Sequence, residues 1–264
     1  MPDVPRAEQL EAVIFDMDGV VTRTARLHAR AWKQLFDEYL ETRRARGETH
    51  EPFDEVKEYL ARVDGKPRYE GVRSFLEGRG IDLPFGTRED GPDAETACGL
   101  GNRKDRYFEK MLHEQGAEVF DSTVDHIREL RARGVKVGLV TSSKHGREIV
   151  TLAKLTELFD VVVDGNTALE RALKGKPNPD IFLEAARVVG VAADRAAVVE
   201  DAVSGVEAGT RGRFASVIGV NRGSNRKALE QAGADVVVDD LGELSVDELL
   251  TRRSRVERSR GGAR

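Results

Sequence analysis

The sequence predicts an α/β protein built on a doubly wound, mostly parallel sheet. Six short apolar runs rich in β-branched residues alternate with segments whose apolar residues recur at helical spacing. Strands and helices that alternate in this way form a parallel sheet covered by helices, which is a Rossmann-like arrangement. Residues 25–113 interrupt the alternation, because they contain helix-like segments and no comparable strand. This stretch is too long for a plain crossover, so we expect an inserted α-helical domain.

The predicted elements follow one another in a simple order. The predicted strands are residues 12–16, 135–141, 159–164, 197–201, 216–220 and 235–238. The helix-like segments of the insertion are residues 26–44, 53–63, 69–76 and 102–113, with a Gly- and Pro-rich loop expected over residues 78–92. The predicted domains are therefore residues 1–24 with 114–250, and the inserted residues 25–113. The basic end, residues 251–264, is expected to be a disordered tail.

The composition argues against several classes of protein. The 264 residues have a net charge of −5 with many charges of both signs, which disfavours nucleic-acid binding, and no apolar run is long enough to span a membrane. Cys98 is the single cysteine, so no intrachain disulfide can form, and the opening residues lack a secretion signal. We therefore expect a cytoplasmic protein. Binding of phosphate or RNA by the Arg-rich end remains the alternative to a frayed tail.

Two aspartates at the end of the first predicted strand are the most informative residues. Asp16 and Asp18 are two positions apart, and side chains at that spacing in an extended chain point the same way. Gly19 then lets the backbone turn and admits a ligand closely. A strand that ends in aspartate can instead cap the next helix, so the other strand ends decide between these interpretations. In a parallel sheet all carboxyl ends lie at one edge, where ligands bind.

Hydroxyl groups and a lysine follow two further elements. Residues 141–144, Thr-Ser-Ser-Lys, come where the second predicted strand ends and a helix begins, and their amides and hydroxyls suit a phosphate. Capping of that helix by a serine is the alternative. Lys176 precedes Pro177, which restricts the lysine backbone and is expected to open the next helix. A solvated surface lysine is the alternative at this position.

Two adjacent acids follow the fourth predicted strand. Glu200 and Asp201 would join Asp16 to gather three negative charges at one edge of the sheet, and a phosphate dianion would add two more. At an effective dielectric of about 20, two like unit charges about 4 Å apart repel by roughly 4 kcal/mol. Such a site needs a divalent cation and a lysine, and oxygen ligands indicate Mg²⁺. The sequence therefore predicts one bound Mg²⁺ ion.

In this order the signals resemble the motifs of the haloacid dehalogenase superfamily of phosphotransferases. The resemblance covers residues 10–240, and the insertion is similar to the α-helical cap domain of one branch of that superfamily. The motifs that carry this resemblance are Asp16-x-Asp18-Gly19, Thr141, Lys176-Pro177 and Glu200-Asp201. Further residues that match one branch are Thr24, His28, Gly65-x-x-Arg68, Lys104 and Ser143-Lys144. With these residues the chain most resembles the β-phosphoglucomutases and their relatives within that branch.

The resemblance implies Mg²⁺-dependent phosphoryl transfer on a sugar phosphate through an aspartyl-phosphate. Asp16 would be the nucleophile, and Asp18 would be the general acid/base with its main-chain carbonyl on the metal. Thr141, Lys176 and the Ser142 amide would hold the transferring phosphoryl group. Asp16, Asp18, Glu200 and Asp201 would thus form the metal site. The implied substrate-binding residues are Thr24, His28, Arg68, Lys104, Ser142, Ser143 and Lys144, with Arg68 on a second phosphate.

The resemblance favours an isomerase that interconverts β-glucose 1-phosphate and glucose 6-phosphate, with glucose 1,6-bisphosphate as its activator. A sugar-phosphate phosphatase of the same superfamily is the alternative, because both reactions need the same core residues. The cap separates the two, and here Pro67 stands where the family has a small polar residue. A small phosphorylated sugar is the expected partner, without nucleic acid or membrane, and the expected state is a monomer whose own cap closes its site.

Overall fold

The structure, a computed structural model, describes residues 10–223 and 225–250. The chain divides into two compact units. We call Arg23–Glu118 the helical unit, and the described residues outside it, 10–22, 119–223 and 225–250, the α/β unit. The limits placed on the insertion from the sequence, residues 25–113, lie within the helical unit. The tail expected over residues 251–264 lies outside the described residues.

The helical unit is built from three long helices around an aromatic core. These are α1 (Ala25–Ala45), α2 (Arg68–Gly78) and α3 (Ala97–Gln115), with a short π-helix at Tyr59–Val63. Phe36 stacks on Trp32 and on Phe75, with ring centroids 5.1 Å and 3.7 Å apart. Residues 79–96 form no helix or strand, which agrees with the loop predicted over residues 78–92.

One predicted helix of this unit was wrong over its first part. The predicted segment, residues 53–63, is helical only over residues 57–63, which include the π-helix Tyr59–Val63. The carboxylate of Asp54 accepts hydrogen bonds from the amides of Val56 and Lys57, at 2.9 Å and 2.8 Å. An aspartate that accepts hydrogen bonds from the amides two and three residues on makes the contact of a helix N-cap, so Asp54 sets the start of the helical segment and Phe53 precedes it.

Six parallel strands form the sheet of the α/β unit. They are β1 (Ala12–Asp16), β2 (Lys136–Val140), β3 (Val161–Val163), β4 (Ala196–Glu200), β5 (Ser216–Val220) and β6 (Val236–Val238). Their order across the sheet is β3-β2-β1-β4-β5-β6, and every neighbouring pair is parallel. The bounds of β1 and β5 match the prediction, whereas the other strands are shorter or displaced by one residue. The doubly wound, Rossmann-like fold class is confirmed.

The helices of the α/β unit flank the sheet and bury its central strands. They are α4 (Asp121–Ala132), α5 (Gly146–Leu152), α6 (Gly165–Glu170), α7 (Asp180–Val189), α8 (Val203–Arg211), α9 (Arg226–Ala232) and α10 (Val246–Leu250). Helix α7 packs on β1, β2 and β3, and α8 packs on β4 and β5. Every residue of β1, β4 and β5 is buried, as expected for a parallel sheet covered by helices.

The start of α7 corrects one expectation from the sequence. The helix begins at Asp180 with Pro179 at its N-cap, so Pro177 does not open it.

Within residues 10–223 and 225–250, no helix combines the length and the apolar composition needed to cross a bilayer.

The strand order places the functional site. Strand β2 lies on one side of β1 and β4 lies on the other. The order in which successive strands are added to the sheet therefore reverses between β1 and β4, although all strands remain parallel. Ligands of open α/β sheets bind at such a reversal, beyond the carboxyl ends of the strands. Asp16 is the last residue of β1 and Glu200 is the last residue of β4.

Candidate active site

A buried lysine joins the carboxylates at the ends of β1 and β4. The Nζ of Lys176 donates hydrogen bonds to Oδ1 of Asp16 and to Oε1 of Glu200, both at 2.5 Å. The other oxygen of Glu200, Oε2, accepts a hydrogen bond from the Ala202 amide at 2.6 Å. Lys176 is only 5% exposed, so the interpretation of this residue as a solvated surface lysine was wrong. The fold therefore brings together three of the sequence motifs, which are Asp16-x-Asp18-Gly19, Lys176-Pro177 and Glu200-Asp201.

Burial shifts the pKa values of this cluster. Burial alone would lower the pKa of Lys176, but the carboxylates of Asp16 and Glu200 outweigh it and hold that pKa above its ordinary value. Burial raises the pKa of the Asp16 carboxyl well above its usual range, and the Lys176 ammonium opposes this rise. A single ammonium thus faces more than one carboxylate, which leaves room for a further positive charge.

Three acidic side chains are spaced to share a cation. Asp16, Glu200 and Asp201 each offer one carboxylate oxygen, and these oxygens lie within 4.8 Å of one another. A single divalent ion can bind to oxygens at this spacing, with water completing its coordination. Carboxylate oxygens are hard ligands, so the donor set fits Mg²⁺ rather than a thiophilic metal.

Two glycines leave the space that the acidic side chains occupy. A Cβ atom on Gly19 would lie 1.8 Å from Oδ2 of Asp201, and one on Gly205 of α8 would lie 1.7 Å from Oε1 of Glu200. Gly19 also has a φ of +88°, a conformation that other residues rarely adopt. Any side chain at either position would therefore displace a carboxylate of the site.

A hydrogen bond from a hydroxyl group joins the residue after β2, Thr141, to Asp18 in the loop after β1. Thr141 follows β2, and its Oγ1 donates a hydrogen bond to Oδ2 of Asp18 at 2.9 Å. The same Oγ1 accepts a hydrogen bond from the Ser143 amide at 3.0 Å. Asp18 is partly buried, whereas Thr141 is almost fully buried. The arrangement fixes one oxygen of the Asp18 carboxyl toward the end of β2.

The structure also tests whether a serine caps the helix that follows β2. The N-cap of α5 is His145, so neither Ser142 nor Ser143 occupies the capping position. The Ser143 hydroxyl instead accepts a hydrogen bond from the His145 amide at 3.2 Å, within the turn that precedes the helix. Ser142, Ser143 and Lys144 are all partly exposed.

The helical unit holds two of the predicted substrate-binding residues in one cluster. Lys104 is buried, and its Nζ lies 2.5 Å from Nδ1 of His28. The ammonium also lies over the rings of Trp32 and Phe108, at 5.1 Å and 4.8 Å from their centroids. Such contacts stabilise a buried cation. Thr24, which precedes α1, is buried as well.

Arg68, another predicted substrate-binding residue, is held by partners within the helical unit. Its guanidinium forms an ion pair with Asp105 of α3, and it donates a hydrogen bond to the Tyr69 hydroxyl at 3.1 Å. The Tyr69 hydroxyl in turn donates to Oδ1 of Asn102 at 2.8 Å. Burial would lower the pKa of Arg68, but the Asp105 carboxylate raises it on balance.

Three residues that contact the site or a predicted substrate-binding residue were not predicted from the sequence. Asp105 directly follows Lys104, and an acid next to a predicted phosphate-binding residue was a usable signal. Gly205 lies five residues after Glu200 at the start of a helix, where a small residue favours close approach of a side chain. Arg222, which contacts the loop after β1, gave no sequence signal because its partner lies about two hundred residues earlier.

The fold and the site define an enzyme with a charged centre at the switch point of a parallel α/β sheet, of the kind that transfers phosphoryl groups. The haloacid dehalogenase-like hydrolase model matches residues 10–212, and the chain belongs to that family. This assignment confirms the resemblance stated from the motifs.

Individual relatives agree with the family assignment. The chain is 47% identical over 241 residues to a β-phosphoglucomutase of Mycobacterium bovis, covering 90% of this chain and 92% of the relative. It is 29% identical to a phosphorylated carbohydrates phosphatase of Thermotoga maritima, covering 87% and 94%. The crystal structure of β-phosphoglucomutase from Clostridium difficile has a TM-score of 0.73 at 24% identity, covering 91% and 95%, and it shows the shared fold.

Proposed function

We propose that the protein moves a phosphoryl group between two positions of a sugar phosphate, as a β-phosphoglucomutase. The substrates would be β-glucose 1-phosphate and glucose 6-phosphate, and glucose 1,6-bisphosphate would be the activator. The observation that carries this proposal is the buried Lys176 bridge between Asp16 and Glu200, in a chain that is 47% identical to a β-phosphoglucomutase. A lysine held between a nucleophile and a metal-site acid suits a transferring phosphoryl group.

Asp16 and Asp18 would perform the chemical steps. A carboxylate oxygen of Asp16 attacks the phosphorus, and the bond from phosphorus to the departing sugar oxygen breaks as Asp18 gives that oxygen a proton. In the return step a sugar hydroxyl attacks the aspartyl-phosphate while Asp18 takes its proton. The hydrogen bond from Thr141 to Asp18 orients the carboxyl group for both transfers.

The charge of the phosphoryl group would be balanced by the groups around Asp16. Lys176, the Thr141 hydroxyl and the Ser142 amide would hold the phosphoryl oxygens, because donors placed where charge develops stabilise the transition state. Asp16, Glu200 and Asp201, with the main-chain carbonyl of Asp18, would hold one Mg²⁺. When bound, that ion would neutralise negative charge on the transferring group.

The remaining part of the substrate would be recognised by the other predicted residues. Arg68 would bind the second, non-reacting phosphate, because a guanidinium can bind two phosphate oxygens at once. We propose residues 25–113 as the cap domain that carries Arg68. The other proposed substrate-binding residues are Thr24, His28, Lys104, Ser142, Ser143 and Lys144.

A ³¹P NMR time course tests the proposal. The enzyme with Mg²⁺ is mixed with β-glucose 1-phosphate and a trace of glucose 1,6-bisphosphate. We expect the glucose 6-phosphate signal to grow at the expense of the substrate, with little inorganic phosphate. The Asp16→Asn variant is the control, because an amide is a poor nucleophile, and turnover at the wild-type rate by that variant would exclude Asp16 as the nucleophile.

A sugar-phosphate phosphatase is the second candidate. It is favoured by the likeness to the phosphorylated carbohydrates phosphatase, and it would use the same aspartyl-phosphate with water as the acceptor. In the same NMR experiment, inorganic phosphate as the main product would establish this alternative.

A further inference from the structure

One segment after β5 contacts both loops that carry the acids of the site. The Nε of Arg222 donates a hydrogen bond to the carbonyl oxygen of Gly19 at 2.5 Å. The Nδ2 of Asn225 donates to the carbonyl oxygen of Asp201 at 3.0 Å. Gly19 follows Asp18 directly, so Arg222 and Asn225, three positions apart, hold the backbones of the loops after β1 and β4.

Arg222 is itself held in place by three further contacts. Its guanidinium lies 3.6 Å from the centroid of the Phe120 ring, a stacking distance that suits a planar cation. Its Nη1 donates to the carbonyl oxygen of Asp239 at 3.1 Å and lies 3.8 Å from the carboxylate of Asp240. The guanidinium therefore joins the end of β6 to the loop after β1.

The orientation of the Gly19 peptide matters because Asp201 packs directly against it. The position of a Cβ on Gly19 is taken by the Asp201 carboxylate, and Gly19 adopts a φ of +88°. The Gly19 amide also donates to the carbonyl oxygen of Thr22 at 2.7 Å, which closes the turn. Rotation of this peptide would move Asp18 and the surface on which Asp201 rests.

We propose that Arg222 is a positioning residue, which fixes the turn after Asp18 against Asp201 and thereby preorganises the acid/base and the cation ligands. Asn225 supports the same arrangement from the Asp201 side. The inference rests on the proposed function, because it concerns the geometry of that same site. Arg222 acts through the Gly19 backbone.

Three variants test this role. Arg222→Gln removes the charge and the stacking group, whereas Arg222→Lys keeps one N–H donor and the charge. Arg226→Gln is the matched control, because Arg226 donates to the Val237 carbonyl and to Asp239 at the same edge of the sheet. Within residues 10–223 and 225–250, no hydrogen bond or ion pair joins Arg226 to Gly19 or Asp201. The readouts are the Kd of Mg²⁺ alone by calorimetry, and kcat and KM for p-nitrophenyl phosphate, measured well below each melting temperature.

We expect Arg222→Gln to weaken Mg²⁺ binding about tenfold and to lower kcat about tenfold or more, with KM changed by less than about twofold. Arg222→Lys should recover most of the Mg²⁺ affinity, and Arg226→Gln should match the wild type. A Kd for Mg²⁺ in Arg222→Gln equal to that of the wild type would overturn the inference, as would equal losses in Arg226→Gln. A wild-type protein that neither binds Mg²⁺ nor turns over the phosphate ester would instead overturn the proposed function.

Discussion

The Lys176 ammonium and the Asp16 carboxylate form a buried ion pair, with Nζ 2.5 Å from Oδ1, although 160 positions separate them in the chain. The same ammonium binds Glu200, so one lysine bridges the carboxylates at the ends of two neighbouring strands. Removal of one partner from a buried pair leaves an uncompensated charge, which is far more costly than the net value of the pair. The stability of the site therefore depends on this lysine.

We expect Lys176→Met to lower the free energy of unfolding by about 3–5 kcal/mol in EDTA, because two carboxylates lose their counter-charge. Excess Mg²⁺ should recover part of this loss, since a cation can replace the missing ammonium charge. Urea unfolding with EDTA and with Mg²⁺ measures both effects. Lys174→Met, at an exposed position nearby, is the control, and equal destabilisation by the two variants would contradict the assignment.

Gly205→Ala is expected to damage the site even though alanine favours a helix by about 1 kcal/mol over glycine. The new Cβ would lie 1.7 Å from Oε1 of Glu200, so the carboxylate must leave Lys176. We expect kcat to fall about a hundredfold. In Gly209→Ala the new Cβ would lie 3.1 Å from a Val217 methyl group, which can shift slightly. Similar kinetics in the two variants would show that the Glu200 position is not critical.

Arg68→Ala is expected to raise KM for glucose 1,6-bisphosphate about tenfold or more, because a charged contact to the second phosphate is lost. Turnover of p-nitrophenyl phosphate, which has one phosphate, should change by less than about threefold. Asp105→Asn is the matched control, since it breaks the same ion pair but keeps the guanidinium. If Asp105→Asn reproduces the selective loss, the ion pair rather than phosphate binding explains the effect.

Tyr107 gives a pH dependence with a defined sign. The Tyr107 hydroxyl donates a hydrogen bond to the Glu38 carboxylate at 2.5 Å. Burial and this carboxylate raise the pKa of Tyr107 from 10.0 to about 12. The folded state therefore keeps a proton that the unfolded chain loses. This contribution to stability is fully present below pH 10 and disappears as the pH approaches 12.

Urea unfolding at pH 9 and at pH 11.5 measures this contribution, and absorbance of the phenolate reports the titration directly. We expect the wild type to lose more stability over this interval than Tyr107→Phe, which has no phenol to ionise. An equal loss in both proteins would show that the phenol of Tyr107 titrates normally.

Local patterns were sufficient for the sheet and for the strand-end acids. The runs that form β1 and β5 are short, apolar and rich in β-branched residues, so their limits were predicted correctly. The start of the helix predicted over residues 53–63 was placed too early, because the side chain of Asp54 caps the first amides of the helical segment and so sets where it begins. A pattern of apolar residues does not contain that information.

Contacts between distant parts of the chain were beyond the sequence. Arg222 and Gly19 meet because β5 lies two strands from β1 in the sheet, which depends on the strand order. The packing of Gly205 on Glu200 requires the start of α8 to be placed after β4 with a precision of about an ångström. The partner of Arg68 depends on how α2 and α3 pack together.

The sequence by itself determined the class of fold, the family motifs and the edge of the sheet at which Asp16, Thr141 and Glu200 stand. It could do so because strands follow a local period and all parallel strands end at one edge. Only the tertiary structure decided that Lys176 is buried between Asp16 and Glu200, since the pairing of charges depends on strand order and on close packing. Both are properties of the folded chain, in which burial makes each unpaired charge costly and so selects one arrangement.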